Sequence, residues 1–260
     1  MAPGKLKIDI RRQKILEQLN HEGQVSVARL SKELDTTPVT IRNDLDVLAR
    51  EGRLERIQGG AVCVHHGYAP YFAADNGASV YQTEKQAIAQ RIVDMIDEND
   101  TIMLNAGTTT LTLFRMIPSK LNLCIVTNSI AIALEAGSNP NFNVVLLGGF
   151  TNSKHQFTYG DDAITQLEKY HADKLILSVD GISQDNGLTT YYSQEVELAR
   201  MMLSRAATKI IAADSTKLGR TAFAKIADID AADYIITNDH PSTAEDAEQL
   251  KATVQNFIMV

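Results

Sequence analysis

Residues 36–43 read TTPVTIRN, and their side chains suit one kind of chemistry. Arg42 can donate two parallel bonds to a guanine edge, Asn43 can pair with adenine, and Thr40 can touch a thymine methyl or a phosphate. Such groups read a nucleic acid only if one rigid element presents them together, and the neighbouring residues supply it. Thr37 is placed to cap a helix, and Pro38 falls at its first position, where the missing N–H costs nothing. Ile41, Leu45 and Leu48 then form one apolar stripe, which leaves Val39, Thr40, Arg42 and Asn43 on the outer side. A shorter helix precedes it, capped by Ser26, with Val27, Leu30 and Leu34 at i, i+3 and i+7. Asp35 and Thr36 form the turn between the two. The second helix is expected to run to Glu51, with Gly52 as its left-handed stop. Arg53–Gln58 then alternates as a strand does until Gly59-Gly60 breaks it, like the edge of a wing. The segment is predicted to be a winged helix-turn-helix, with Thr36, Thr37, Val39, Thr40, Arg42, Asn43, Arg56 and Gln58 as candidate DNA contacts. Arg42 and Arg56 suit phosphates more than bases, since most protein–DNA hydrogen bonds go to the backbone. The plainer alternative is an amphipathic helix pair with solvated charges, Asp46 and Arg50 pairing at i,i+4.

A second candidate site is written in NAGTTT, residues 105–110: a glycine-containing turn that feeds a helix start, with three hydroxyls and free backbone N–H groups. That combination suits a phosphate. Lys217, in DSTK, can add a positive charge, and Asp180, Asn128 and Asn105 can hydrogen-bond sugar hydroxyls. Ordinary capping and a solvated Lys217 is the alternative. What brings these groups together is a run of short apolar strands that end in small or polar residues, Thr101–Leu104, Leu123–Val126, Val144–Leu147, Leu175–Val179, Lys209–Ala213 and Tyr234–Ile236, with Phe257–Val260 as the last strand. Helical segments intervene, among them Glu84–Asp97, Ile130–Ala136 and Gln194–Ala207. Buried strands alternating with helices predict a mostly parallel α/β sheet, whose ligands bind beyond the carboxyl ends of the strands. No GxGxxG or Walker loop is present, which argues against NAD and ATP, and no cofactor is expected.

A chain of 260 residues fits two domains: a winged helix-turn-helix over 1–62 and an α/β domain over 83–260, with a linker over 63–82 where periodicity lapses. The net charge of −7 is uneven. Residues 1–62 carry eleven Lys/Arg against nine Asp/Glu, and the remainder 14 against 23. A mildly basic head on an acidic body fits DNA binding by the head, and one weak head implies at least a dimer. Cys63 and Cys124 form neither a disulfide framework nor a zinc site, and His65-His66 reads as solvated. The absence of a signal peptide and of a membrane-spanning apolar run predicts a cytoplasmic protein with no membrane partner.

The chain resembles the DeoR family of bacterial transcription regulators over essentially its full length. TIRNDLDVLAREGRLERIQGGA is similar to that family's TIRRDLxxLxxxGxxxRxHGGA, and the echoes in the body are NAGTTT, TNS, LLGG, Tyr159-Gly160, SVDGI, GLTT at 187–190, Glu195 and DSTK. The resemblance implies a Rossmann-like effector domain similar to ribose-5-phosphate isomerase. It implies a dimeric or tetrameric repressor of a sugar-utilisation operon, released from operator DNA by a phosphorylated sugar. The implied effector-binding residues are Asn105, Gly107, Thr108, Thr109, Thr110, Asn128, Asp180, Gly181, Glu195 and Lys217, with no catalytic residue and no metal. The stretch TYGDDAITQLEKYHADKLILSVDGI resembles regulators of amino-sugar or hexitol use. Three positions depart from the family pattern: Asn43 for Arg, Gln58 for His, and Asn105 for the Asp that usually opens the loop. The last removes a carboxylate beside a phosphate site, so binding without turnover is expected. Two other readings share this chemistry. One is a sugar-phosphate isomerase-like enzyme using Asp180 or Glu195 as base and Lys217 as electrophile, and the other is an activator.

Overall fold

The computed structural model describes residues 3–22, 24–50, 53–63 and 82–260. The chain divides into two compact units, Met1–Tyr68 and Ala69–Val260. The expected linker, with His65 and His66, lies outside the described residues over 64–81, as do Glu51 and Gly52.

The first unit contains α1 (Pro3–Glu22), β1 (Gln24–Ser26), α2 (Val27–Glu33), α3 (Pro38–Arg50), β2 (Leu54–Ile57) and β3 (Gly60–Cys63). Ser26 starts α2 as expected: its backbone is extended and its hydroxyl accepts from Arg29 N at 3.2 Å. Thr37 Oγ1 likewise accepts from Thr40 N at 3.2 Å and starts α3. Between them Asp35 takes a left-handed conformation (φ 45°). Ser31 closes the turn, its hydroxyl donating to Thr36 O at 2.5 Å. β2 and β3 form the wing, and β1 pairs antiparallel with β3. The helix α1 was not anticipated. Its Ile15, Leu16 and Leu19 share one core with Val27, Leu30, Ile41, Leu45 and Leu48. Arg11 and Arg12 also reach Asp44 of α3 at 2.5 and 2.9 Å, and Asp44 is only 2% exposed. The helix α3 is therefore clamped from its inner side by both packing and charge.

The second unit runs α4 (Gln82–Val93), β4 (Thr101–Leu104), α5 (Thr108–Met116), β5 (Leu123–Thr127), α6 (Ile130–Ala136), β6 (Phe142–Leu146), β7 (Phe150–Asn152) and β8 (Phe157–Tyr159). It continues with α7 (Asp161–Leu167), β9 (Ala172–Ser178), β10 (Gly181–Ser183), β11 (Gly187–Thr190), α8 (Ser193–Ser204), β12 (Ala206–Ala212), β13 (Ala224–Ala227), β14 (Tyr234–Thr237), α9 (Ala244–Lys251) and β15 (Asn256–Met259). The seven strands expected from the sequence form one sheet, ordered β15-β14-β12-β9-β4-β5-β6. All its neighbours pair in parallel. Alternate residues feed two cores. Ile88 and Ile92 of α4, Leu111 and Phe114 of α5 and Ile132 of α6 pack with Ile102, Ile176, Ile210 and Ile236. Leu167 of α7, Leu198 and Met202 of α8 and Leu250 of α9 pack with Met103, Leu175, Leu177, Ile211 and Ile235. Helices thus cover both faces, as continuous apolar strands require. The helix expected over Glu84–Asp97 stops at Val93, because the chain tightens there into i→i+3 turns and Asp100 takes the amide of Asp97 at 2.7 Å. Among the described residues no helix is long and apolar enough to cross a membrane.

Candidate functional site

In the second unit the chain lays down β4, β5 and β6 in one direction, then returns to place β9 on the other flank of β4. That reversal makes the crevice beyond the carboxyl ends of β4 and β9 the switch point of the sheet, where open α/β folds bind ligands. Asn105 and Ser178 face each other across it. Asn105 Oδ1 accepts from Ser178 N at 2.8 Å and from its hydroxyl at 3.2 Å, while Asn105 Nδ2 donates to Ser178 O at 3.0 Å. Only an amide can both donate and accept here; an aspartate would face the Ser178 carbonyl with a second acceptor. Asn128 acts the same way one strand over, accepting from Ala106 N at 2.9 Å and donating to Thr158 O at 3.1 Å. Both residues were read as partners of sugar hydroxyls. The structure instead buries them and ties their amides to backbone, so they shape the loop.

The loop itself is built to leave N–H groups open. Thr110 is fully buried, its hydroxyl donating to Asn105 O at 2.8 Å, and Thr109 is buried too. Gly107 and Thr108 keep partial exposure. Gly107 is the N-cap of α5 and offers no side-chain acceptor, so no capping side chain occupies the helix start. Its backbone is extended and tolerates any residue, but an added Cβ would sit 2.1 Å from Ser178 Oγ. Close approach, then, is what demands glycine.

A second wall comes from β10, β11 and α8. Asp180 Oδ2 accepts from the Thr190 hydroxyl at 3.1 Å and from Tyr191 N at 3.0 Å. The same hydroxyl lies 3.5 Å from Glu195 Oε2. Burial first, and the Asp180 charge second, push the Glu195 carboxyl up to about 8, against the opposing pull of Thr190. Glu195 therefore keeps its proton at neutral pH and presents an O–H beside the Asp180 carboxylate. Gly181 is a packing residue, since a Cβ there would meet Arg220 O and Thr189 Oγ1, each at 2.6 Å. The ring of Tyr192, between β11 and α8, lies 4.5 Å from that of His155, which precedes β8.

The third wall follows β12. Asp214 caps a single 3-10 turn, Ser215–Lys217, through the amide and hydroxyl of Thr216, and Lys217 is half-buried at its end. Asn238, beyond β14, accepts from Ser215 N at 2.8 Å and fixes the turn. One residue of this region escaped sequence reasoning. Lys85 lies on the apolar stripe of α4, spaced with Ile88, Ala89 and Ile92 at i, i+3, i+4 and i+7, and is 6% exposed. A charged residue on a buried stripe is the signal that could have revealed it. Among the described residues no three His, Cys, Asp or Glu side chains are grouped to hold a metal ion.

In the first unit α3 presents Val39, Arg42 and Asn43 to solvent, with Val39 61% exposed, and Gln58 is exposed at the wing turn. Thr36 and Thr40 are half-buried. Thr37 is engaged as the cap of α3. Arg56 is braced within the fold: its Nη1 donates to Gly60 O at 2.8 Å and its Nε lies 2.9 Å from Asp46 Oδ1. The Asp46 carboxylate thus pairs with the wing, and Arg50 reaches only the Asp46 carbonyl, at 3.3 Å.

Residues 11–66 match the DeoR-like helix-turn-helix domain, and residues 81–239 match the DeoR C terminal sensor domain. The HTH-type transcriptional regulator GolR of Listeria innocua is 31% identical over 88% of this chain and 89% of its own length. The glycerol-3-phosphate regulon repressor of Haemophilus influenzae is 27% identical over 91% of both chains. Ribose 5-phosphate isomerase A of Methanocaldococcus jannaschii aligns over 51% of this chain and 52% of its own at 13% identity, with a TM-score of 0.38.

Proposed function

The chain belongs to the DeoR family of transcriptional regulators, and from that premise we propose that it is a repressor which leaves its operator when a phosphorylated sugar binds the second unit. It is a regulator and not an enzyme, as its relatives' names as transcriptional regulators and repressors indicate. In this reading α3 enters the major groove with Val39, Thr40, Arg42 and Asn43 at the base edges, while Thr36, Thr37 and Gln58 meet the backbone. Arg56 orients the wing and contacts phosphate with whatever donor capacity Asp46 and Gly60 leave. Two heads read two half-sites, so the working form is a homo-oligomer, dimer or tetramer, acting in the cytoplasm.

The observation that carries the effector half is the uncapped start of α5 at the switch point, with Lys217 on the same edge of the sheet. Gly107, Thr108 and Thr109 would hold the phosphate through backbone N–H groups and Lys217 through its charge. Asp180 and the protonated Glu195 would accept from and donate to the sugar hydroxyls, with Gly181 giving them room. Asn105, Asn128 and Thr110 hold this frame from behind. Release follows by linkage: the effector prefers the conformation that binds DNA poorly, and the operator equilibrium shifts by that difference in affinity.

A thermal-shift panel of phosphorylated and unphosphorylated sugars tests the site. A ligand at a hundred times its Kd stabilises the chain by about 2.7 kcal/mol. A phosphosugar should do so with the natural chain and fail with Lys217→Ala. Stabilisation only by unphosphorylated sugars would reject the reading.

A further inference from the structure

The seven-stranded sheet ends at β6, and that edge lacks the charges, prolines and bulges that usually keep an edge strand to itself. Leu123 N donates to Asn141 O at 3.2 Å, and Leu147 N donates to Thr127 O at 2.8 Å. In a parallel pair that register turns the amides and carbonyls of Asn143 and Val145 toward β5 and those of Val144 and Leu146 outward. Among the described residues nothing pairs with the outward groups, and no strand lies beyond β6. The Phe142 amide is taken by Asn139 O at 3.1 Å, and the Phe142 carbonyl faces outward too. The eighteen residues Ala136–Ser153 contain no Asp, Glu, Lys or Arg, in a chain of which 22% is charged. Exposed apolar side chains border the same edge: Leu146 on β6 is 41% exposed, Leu134 on α6 57% and Phe150 on β7 70%. Phe142, Val144 and Leu146 alternate onto the α6 side of the sheet, where Phe142 and Val144 pack with Ile132 and Ala136 of α6. The opposite edge strand, β15, keeps all four of its residues half-buried.

We propose that the β6 edge is where two copies of this chain join, their β6 strands pairing antiparallel about a two-fold axis at Val144. This rests on the reading of the working form as a homo-oligomer and adds to it the surface that makes the contact. An axis at Val144 sets Val144 opposite its own copy and Phe142 opposite Leu146. Free donors then meet free acceptors: Val144 N–H with Val144 C=O, and Leu146 N–H with Phe142 C=O, each twice by symmetry. On the α6 side the Phe142, Val144 and Leu146 side chains of both copies close one apolar seam, and the two α6 helices, each with its exposed Leu134, flank it. Charge singles out a second copy as the occupant. A two-fold seam sets each group near its own copy, where like charges repel, and a strip without charges avoids that repulsion. A nucleic acid would need cations on this edge, and an acidic or basic partner would need the opposite charge; Ala136–Ser153 offers neither. The seam lies wholly within the second unit, so it would join two copies, each with its DNA-binding unit, in the absence of DNA.

Analytical ultracentrifugation of the full chain tests the seam, comparing the natural chain with Leu134→Glu, Leu146→Lys and, on the other edge strand, Met259→Lys. The natural chain should sediment as a dimer or tetramer. Leu134→Glu and Leu146→Lys should each fall to a smaller species or lose at least tenfold in association, while Met259→Lys should match the natural chain. Leu134 is an exposed helix position, so its variant reports even if Leu146→Lys folds poorly, and melting followed by circular dichroism checks both. A cross-link reads the register. Opposed residues of a hydrogen-bonded antiparallel pair have Cα atoms about 5.5 Å apart, within the roughly 4.4–6.8 Å that a disulfide spans. Val144→Cys, made together with Cys63→Ala and Cys124→Ala, should therefore give a covalent dimer on oxidation with diamide, and Met259→Cys in the same background should not. An oligomer that survives both β6-edge variants would overturn the proposal while leaving the homo-oligomer reading standing. So would dissociation by Met259→Lys alone, which would place the seam at β15. Dissociation by the β6-edge variants without a cross-link at position 144 would overturn the pairing about Val144. A natural chain that stays monomeric would sink the homo-oligomer reading itself, and this inference with it.

Discussion

Replacing Glu195 by Gln isolates a carboxyl that the fold drives far from its ordinary range. In the folded chain Glu195 holds its proton up to about pH 8, and in the unfolded chain it loses it near 4.5. Between those values the folded state binds a proton that the unfolded state does not, so stability falls as pH rises. The slope is about 1.4 kcal/mol per pH unit, which accumulates to about 5 kcal/mol by pH 8. Below pH 4.5 both states are protonated and the stabilisation is fully present. Glutamine cannot ionise, so the variant should lose this slope. At pH 5 the two chains should agree within about 1 kcal/mol, and at pH 8 the variant should be the more stable by several. Urea unfolding followed by circular dichroism at pH 5, 6, 7 and 8 measures this, and the contribution of the first unit cancels in the difference. Asp180→Asn removes the second cause of the shift and should narrow the window from its upper end. Parallel pH profiles for the natural chain and Glu195→Gln would refute the reasoning, since the carboxyl would then be as solvated when folded as when unfolded.

Gly107→Ala should destabilise the second unit by about 1–3 kcal/mol through overpacking and abolish phosphate binding. Adding Ser178→Ala should recover most of the stability, because the oxygen 2.1 Å from the new Cβ is gone. Asp44→Asn should lower the melting temperature of the first unit, with a loss of about 2–3 kcal/mol, as Arg11 and Arg12 lose their shared carboxylate. Arg42→Ala should weaken operator binding by about 1–3 kcal/mol and relax preference at one base pair, which a binding-site selection would read directly. Arg56→Ala should weaken operator binding more than Asp46→Ala, since it removes a phosphate contact as well as the brace to Asp46; equal losses would make Arg56 a brace alone.

Caps and continuous apolar runs made much of this molecule legible. Ser26, Thr37 and Pro38 marked both helix starts of the turn, and the strands of the parallel sheet announced themselves as short apolar runs, all but the last ending in small or polar residues. Those signals are local. The helix α1 lacked a comparable one, being defined by a core shared with residues of the later helices and by a clamp on Asp44. The small sheet of β10, β11 and β13 was equally hidden, because β11 pairs with β13 across an intervening helix and strand while β10 and β11 are very short. At the candidate site, residue types were readable but directions were not. Asn105 and Asn128 carry groups that suit a sugar, and only the three-dimensional placement of Ser178, Ala106 and Thr158 shows their amides already engaged. Lys85 was missed for the opposite reason: in sequence it looks like one charge in a polar helix, although its spacing places it on the stripe that faces inward.

Effector-driven release from DNA tests the account most directly. An operator fragment obtained by binding-site selection, carrying a fluorescent label, is held at saturation by the full chain, and its anisotropy is followed as sugars and their phosphates are added. The account predicts that at least one phosphorylated sugar lowers the anisotropy to that of free DNA, that its unphosphorylated form does not, and that Lys217→Ala binds the fragment normally yet stays bound. Release by an unphosphorylated sugar, or equal release of the natural chain and Lys217→Ala, would contradict it.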